Sequence, residues 1–315
     1  MKNVIEKLSI IDALIIGYSI FQILYTGLLG HNLENQGHVI LVYAGCLLAA
    51  MVSITLKLKI NYLPLRILGN FYPIFLLAIF YEIAGHQVHM FFDGFFDDFI
   101  INAENSFFGI HPTIWFEKFH TTWLTEWMMF GYSFYLPLIP ILITWLYYSH
   151  KNNDWQHMMG SLLISFFTCY IIFTLFPVTG PRIAMADQFT GALDGYFFRS
   201  FTRLLESDAM LHGGAFPSAH CAAATVMFII SYRYNRRMFY LAAPVLITLI
   251  ISTIYGRYHY PVDAIAGILI GIAGVYLFKP LNRRWNCLVN PINEDTRKLE
   301  VIKKSEFTML PRDLP

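Results

Sequence analysis

Long segments without a single charged residue dominate this sequence. Six of them lack Asp, Glu, Lys and Arg, and each has about the 20 mainly apolar residues that a membrane-spanning helix needs. They cover residues 13–33, 35–56, 127–150, 155–181, 209–232 and 238–256. Such segments predict helices that cross a lipid bilayer, because a helix satisfies its own backbone hydrogen bonds where no water is present.

Two weaker apolar segments, 67–81 and 264–278, bring the predicted number of spans to eight. The first can continue past Glu82 to Phe92, and the second can begin at Pro261. The chain is 56% hydrophobic and only 14% charged, which excludes a water-soluble single domain. We therefore expect an all-α, polytopic membrane helix bundle.

The predicted spans divide the chain into three parts. Residues 1–62 would form two N-terminal transmembrane helices, residues 63–280 a membrane core, and residues 281–315 a cytoplasmic tail. The first apolar segment lacks a small-residue cleavage pattern, so we interpret it as an uncleaved span. The four cysteines have no C-x-x-C spacing and indicate neither a disulfide framework nor a zinc site.

Charged residues sort by membrane side when the chain crosses eight times. The termini and the loops at 57–66, 150–157 and 233–237 share a side that holds 17 of the 22 Lys and Arg but 8 of the 21 Asp and Glu. Because Lys and Arg accumulate on the cytoplasmic side, we expect both termini there. The extracytoplasmic side then has two long connections, an interfacial segment at 93–126 and a loop at 177–219.

Polar residues suited to chemistry lie at the outer ends of the spans. His259 and Asp263 flank the start of the last span, where Pro261 suits the first helical position. Asp263 would hold one ring nitrogen of His259 and leave the other unprotonated as a nucleophile. The alternative is that Asp263 only satisfies free N–H groups at the helix start.

A second histidine follows a turn-and-cap pair at the start of the sixth span. Ser218 after Pro217 would cap this helix, whose free N–H groups suit a phosphate, and His220 would protonate a leaving oxygen. Arg182 and Arg257 offer guanidinium groups to phosphoryl oxygens, unless they extend to lipid headgroups. A capping serine beside an uninvolved histidine is the alternative, but the coincidence of these groups on one face favours catalysis.

Glu82, His86 and His89 form a rival constellation that could ligate a metal ion. Their spacing places them near one helical face, but it lacks the repeated Glu-x2-His boxes of membrane di-iron proteins. We therefore expect neither a metal nor another cofactor at these residues. Lining a polar cavity or facing headgroups is the favoured interpretation.

The three polar segments resemble the signatures of the type-2 phosphatidic acid phosphatase superfamily, which read Lys-x6-Arg-Pro, Pro-Ser-Gly-His and Ser-Arg-x5-His-x3-Asp. The matching residues are Pro217, Ser218, His220, Ser252, His259 and Asp263. The departures are Leu175, Ala219 and Thr253, in place of Lys, Gly and Arg, and a proline before rather than after Arg182.

Further features resemble the inositolphosphotransferase branch, which includes inositol phosphorylceramide synthase. They are HYPVDAIAG at 259–267, FFGIHPTIWFEKF at 107–119 and the two extra N-terminal spans. The resemblance covers residues 80–280 and implies that His259 attacks phosphorus, that His220 protonates the departing alcohol, and that a phosphohistidine is then discharged. Arg182, Arg257 and Ser218 would bind the phosphate without a metal.

We therefore expect an integral membrane enzyme that transfers or removes the phosphorylated headgroup of a membrane lipid on the extracytoplasmic side. An alcohol or polyol is the candidate acceptor, and no nucleic-acid partner is expected. The alternatives are a simple lipid phosphate phosphatase, with water as acceptor, and a non-catalytic lipid transporter or scaffold of the same fold.

Overall fold

Helices make up the architecture of the chain. The computed structural model describes residues 7–60, 62–149, 154–209 and 211–289, and it contains ten longer helices and no β-strand within these ranges. They are α1 (Ile10–Leu29), α2 (Gln36–Lys59), α3 (Leu63–Gly85), α4 (Asp97–Phe108), α5 (Thr122–Tyr148), α6 (Asp154–Leu175), α7 (Phe197–Ala209), α8 (Ala219–Tyr234), α9 (Arg236–Tyr255) and α10 (Pro261–Val289). The predicted tail beyond residue 289 and the first six residues lie outside the described ranges.

Within those ranges, seven helices are long and apolar enough to cross a membrane, namely α1, α2, α3, α5, α6, α9 and α10. The expected all-α polytopic membrane bundle is thereby confirmed. Helices α4 and α7 lie in the two long connections for which the sequence predicted interfacial segments and a loop, at 93–126 and 177–219.

Helix α8 is shorter than the span predicted at 209–232. It has 16 residues and begins only at Ala219, because Pro217 cannot continue a helix and the Ser218 hydroxyl caps the first turn. At 1.5 Å per residue it is about 24 Å long, less than a hydrocarbon layer of about 30 Å. Its neighbours are α5, α6, α9 and α10, so protein rather than lipid surrounds much of it.

Helix α10 is longer than its predicted core of 264–278. It continues through Pro280 to Val289, so the expected boundary between the core and the tail at residue 280 falls inside a helix. The Trp285 indole N–H donates to the Leu8 carbonyl oxygen at 2.9 Å and ties the end of this helix to the segment before α1. A tertiary contact therefore extends the helix past a residue that usually ends one.

Glycines allow α8 and α10 to pack with their backbones in contact. A side chain at Gly267 would overlap the Ser218 carbonyl oxygen, and one at Gly271 would stand 2.5 Å from the Ala222 carbonyl oxygen. Gly267 and Gly271 thus leave room for a close approach of the two backbones. Since Ser218 and Gly267 lie near the N-termini of their helices, this contact brings the two helix starts together.

The two N-terminal helices join the bundle through buried amides. The Gln87 side chain, in the turn after α3, donates to the Gln22 amide oxygen at 3.1 Å and to the Thr26 hydroxyl at 2.7 Å. The Tyr43 hydroxyl of α2 donates to the Gln87 amide oxygen at 2.9 Å. All four side chains are fully buried, so their polar groups find partners inside the protein.

Four helix ends meet at one end of the bundle. The segment after α6 contacts the segment before α8, where the Val178 N–H donates to the Gly213 carbonyl oxygen at 3.0 Å. The Ser218 N–H donates to the Asp263 carbonyl oxygen, also at 3.0 Å, and joins the starts of α8 and α10. The three segments that carry the predicted site therefore share one end of the bundle.

We expect Gly271→Ala to destabilise the bundle, because its methyl group would meet the Ala222 carbonyl oxygen and force the two helices apart. Overpacking of this kind costs about 1–3 kcal/mol. Thermal unfolding in detergent measures the effect. The control is Gly17→Ala in α1, where a methyl group meets no atom within 4 Å. Equal unfolding temperatures for the two variants would contradict the close packing.

Candidate active site

Two histidines that are distant in sequence face each other at this end of the bundle. His220 is the second residue of α8, and His259 lies in the turn between α9 and α10. Their ring centroids are 5.7 Å apart and the ring planes are inclined by 59°. The structure therefore brings together the two imidazoles that the sequence singled out.

The His259 ring is oriented by a backbone carbonyl. Its Nδ1 lies 2.8 Å from the Ala215 carbonyl oxygen and 3.5 Å from the Asp263 carboxylate. Because a carbonyl oxygen only accepts, Nδ1 is the protonated nitrogen and Nε2 keeps its lone pair. The expected tautomer is present, but Ala215, which no sequence pattern marks, is the closer partner.

Asp263 caps the start of α10 and also lies near the His259 ring. Its Oδ2 accepts the Tyr260 N–H at 2.8 Å, as the structural alternative required. The same oxygen lies 3.5 Å from His259 Nδ1, which is longer than a usual N–H···O hydrogen bond. Asp263 is fully buried behind the His259 ring and does not line the cavity beside it.

A small cavity of about 60 Å³ with several polar groups in its wall opens beside the two rings. The predicted residues that line it are His220, His259 and Arg182. Thr179 and Tyr258 add polar groups to its wall, and neither stood out in the sequence, although Tyr258 directly precedes His259. The volume corresponds to about two water molecules, so the cavity suits a small polar group.

Arg182 is held at the cavity by its own backbone. Its N–H donates to the Arg257 carbonyl oxygen at 2.8 Å, directly after Pro181. Gly180 approaches the other loop closely, since a side chain there would overlap the Tyr258 carbonyl oxygen. The loop after α6 and the loop before α10 therefore form a single support for the guanidinium group.

Arg257 and Ser218, which the sequence assigned to phosphate binding, are not in the wall of this cavity. The Arg257 guanidinium pairs with Glu117 at 2.6 Å, donates to the Gly191 carbonyl oxygen and lies over the Phe189 ring. The Ser218 hydroxyl accepts the Cys221 N–H as a helix cap. Other protein groups therefore bind both residues. A carboxylate and a carbonyl oxygen bind the Arg257 guanidinium, and a backbone N–H binds the Ser218 hydroxyl.

Tyrosine rings pack against His220. The Tyr132 ring stacks on it at 4.9 Å between centroids, and the Tyr258 ring stacks on Tyr132 at 4.2 Å. Tyr135 adds a tilted contact to His220 at 4.8 Å. These aromatic contacts limit the rotation of the imidazole.

A larger apolar cavity of about 450 Å³ lies next to the small one. Both are lined by Tyr81, Tyr132, Ala219, His220 and Tyr258. The larger cavity extends between α3, α5 and α6 and has mostly apolar walls, including Ile74, Leu77, Leu136, Ile139 and Phe166. Its volume is in the range of binding sites for small molecules.

The residues considered as metal ligands do not converge. Glu82 lines the apolar cavity, the His86 ring packs on His38, and the His89 ring packs on Phe95. Within the part of the chain that the structure describes, no group of three or more His, Cys, Asp or Glu residues is arranged to hold a metal ion.

Burial lowers the pKa of the His259 imidazole to about 4, against the opposing effect of its hydrogen bond with the Ala215 carbonyl. The side chain is only 5% exposed, so the charged ring would lose its hydration. The ring is therefore neutral at neutral pH and offers the unprotonated Nε2 to the cavity.

Comparison of the sequence with known protein families finds a match to the PAP2 superfamily. The sequence profile of the PAP2 superfamily matches residues 99–277, more than half of the chain. A PA-phosphatase related-family protein from Dictyostelium discoideum is 24% identical over 193 residues, which cover 56% of this chain and 34% of that protein. The chain thus matches about a third of the length of this relative. No solved structure matches the chain.

We expect His259 to stay neutral, with its proton on Nδ1, down to about pH 5, one unit above its lowered pKa of about 4. An ordinary histidine becomes protonated near pH 6.5. Nitrogen NMR of histidine-labelled protein measures the tautomer and charge, with His259→Gln used to assign the signal. A positively charged His259 ring at pH 6 would contradict this environment.

Proposed function

The chain belongs to the PAP2 superfamily, and we propose that it is a membrane enzyme that removes or transfers the phosphorylated headgroup of a lipid through a phosphohistidine. The superfamily match supports chemistry of the phosphatase type. The lipid substrate, the covalent intermediate and the acceptor are proposals that draw on the geometry of the site.

The observation that carries the proposal is the wall that the two cavities share. Two imidazoles and a guanidinium group line the small cavity, and the larger cavity next to it is apolar. His220 is in the wall of both. A molecule with a phosphate at one end and a hydrocarbon chain at the other matches this arrangement, since each part meets its preferred surroundings.

In the first step, His259 Nε2 attacks the phosphorus atom as the bond to the lipid oxygen breaks. The bound anionic phosphate stabilises the protonated form of His220, and His220 gives that proton to the leaving oxygen, so the lipid part departs as a neutral alcohol. Arg182 and the free N–H groups at the start of α8 stabilise the negative charge spread over the phosphoryl oxygens. The orientation of His259 Nδ1 toward the Ala215 carbonyl, 2.8 Å away, supports the assignment of nucleophile.

In the second step, an acceptor hydroxyl gives its proton to the now neutral His220. Its oxygen attacks the phosphorus atom, the bond between phosphorus and nitrogen breaks, and His259 is restored. The acceptor is water in a phosphatase and another alcohol in a transferase. The resemblance of HYPVDAIAG at 259–267 to the inositolphosphotransferase branch, together with the long loop at 177–219, supports transfer to an alcohol.

The charge distribution supports an extracytoplasmic location of this site. Lys and Arg predominate in the loops at the opposite end of the bundle, and such loops normally face the cytoplasm. A phosphorylated lipid would then reach the histidines from the outer leaflet, with its chain directed into the bundle.

We expect His259→Ala to remove turnover of a radiolabelled lipid phosphate by purified protein in lipid nanodiscs, because the variant lacks the atom that bonds to phosphorus. The His31→Ala variant, altered at an exposed loop residue, is the matched control and should keep wild-type activity. Wild-type turnover by His259→Ala would exclude the mechanism.

The same preparation separates the alternatives. Addition of candidate alcohols tests the acceptor, since a transferase forms a phosphorylated alcohol and a phosphatase releases inorganic phosphate as its main product. We expect activity to persist in a metal chelator. Loss of activity in the chelator, with recovery on addition of a divalent cation, would overturn the metal-independent mechanism.

We expect Ile139→Trp to weaken the use of long-chain substrates selectively. Ile139 is in the wall of the apolar cavity and only 7% exposed, so the larger indole of tryptophan would take space from the hydrocarbon chain. Each displaced methylene costs about 0.8 kcal/mol, so three of them correspond to more than a tenfold increase in KM. The KM of a water-soluble short-chain phosphate should change less than about twofold.

Ile141→Trp is the matched control for this prediction. Ile141 lies two residues further along α5 and is 45% exposed, outside the wall of the apolar cavity. An equal effect of Ile139→Trp on long and short substrates would exclude the apolar cavity as the site of the chain.

A further inference from the structure

Acidic side chains of the segment 93–126 turn inward and bind the loops of the candidate active site. Four carboxylates do so, and each accepts at least one backbone N–H from a loop or a helix start at the site end of the bundle. They belong to Asp97, Glu104, Glu117 and Glu126. The sequence predicted an interfacial segment here, but it did not predict these inward contacts.

Asp97, at the start of α4, binds both loops that flank the small cavity. Its Oδ2 accepts the Thr179 N–H at 2.8 Å, and its Oδ1 accepts the Gly180 N–H at 2.9 Å. Oδ1 also accepts the Tyr260 hydroxyl at 3.0 Å. One 5% exposed carboxylate thus joins the loop that leads to Arg182 with the residue that follows His259.

Gly180 makes this contact possible. Its backbone has φ +90°, a conformation that residues with a side chain rarely adopt. Gly180 directly precedes Pro181 and Arg182. Two consecutive N–H groups, those of Thr179 and Gly180, therefore point at one carboxylate. Hydrogen bonds to a charged acceptor are about twice as strong as neutral ones, so Asp97 sets the path of this loop.

Glu104 lies on the same face of α4, two turns after Asp97. Its Oε1 accepts the Val262 N–H at 3.0 Å, within the first turn of α10 and between His259 and Asp263 in sequence. Its Oε2 is 3.6 Å from Nδ1 of the buried His111 ring. The Glu104 side chain is 3% exposed, and burial raises the pKa of its carboxyl to about 7.

We propose that Asp97 and Glu104 are positioning residues that hold the loops of Arg182 and His259 against each other. Helix α4 would thereby stabilise the arrangement of the catalytic centre. The inference rests on the proposed phosphoryl chemistry. It adds two residues to the site that would support catalysis without touching the substrate. Asp97 fixes the loop that carries the Arg182 guanidinium group through two backbone hydrogen bonds. Glu104 fixes the start of α10, next to the proposed nucleophile, through one.

The Asp97→Asn variant tests the first contact. An amide group replaces one oxygen with an N–H donor, so one of the two loop N–H groups loses its acceptor while the size of the side chain is kept. We expect the KM of the lipid phosphate to increase about tenfold or more in nanodiscs, because Arg182 is displaced. Hydrogen exchange at the Thr179 and Gly180 amides should become faster.

The control is Asp98→Asn, which makes the same change on the next residue, where the side chain is exposed. It should leave KM, turnover and exchange unchanged. A purely structural defect lowers the active fraction and the unfolding temperature but leaves KM unaltered. A wild-type KM in Asp97→Asn, with or without lower turnover, would therefore overturn the proposal.

Glu104 gives a second, independent test. Glu104→Gln keeps an oxygen that accepts the Val262 N–H, whereas Glu104→Ala removes it. We expect Gln to retain about half or more of the wild-type turnover and Ala to lose about tenfold or more. Equal activities of the two variants would overturn the role of Glu104. Absence of lipid phosphate turnover in the wild type would instead overturn the proposed function itself.

Discussion

The close approach of α8 and α10 is the contact on which the rest of the site depends. Gly267 has no side chain, so its helix packs directly on the carbonyl oxygen of Ser218, the cap of α8. Helix α8 starts at this contact and α10 starts about two turns before it, and His220 and His259 lie beside those starts. The centroids of two imidazole rings from remote parts of the chain are therefore only 5.7 Å apart, and no loop has to cross the bundle to bring them together.

Backbone groups, rather than side chains alone, orient the reactive residues. The Ala215 carbonyl holds the His259 ring, the Arg257 carbonyl accepts the Arg182 N–H, and the Asp263 carbonyl accepts the Ser218 N–H. In a low-dielectric setting such bonds are strong and restrict the loops to one arrangement. Preorganisation of this kind is what an in-line phosphoryl transfer requires, since there the main tasks are positioning and charge neutralisation.

The two connecting segments have complementary roles. The loop after α6 presents Arg182 to the cavity, and the segment 93–126 supplies inward carboxylates that bind this loop and the start of α10. The outward residues of α4 include the exposed Phe99 and Phe107. One helix thus has an aromatic surface outside and acidic anchors inside, which suits a position between the headgroup layer and a polar site.

The sequence alone determined the number and approximate position of most helices, because uncharged segments of about 20 residues have few stable alternatives to membrane helices. It also singled out His220, His259 and Arg182, which the structure places around one cavity, since polar residues at span ends stand out in a chain with so few charges. Tertiary structure decided the rest. Whether Arg257 turns to the small cavity or to Glu117, whether Asp97 faces lipid or a backbone N–H, and which carbonyl holds His259 all depend on how separate segments pack. No local pattern encodes those distances.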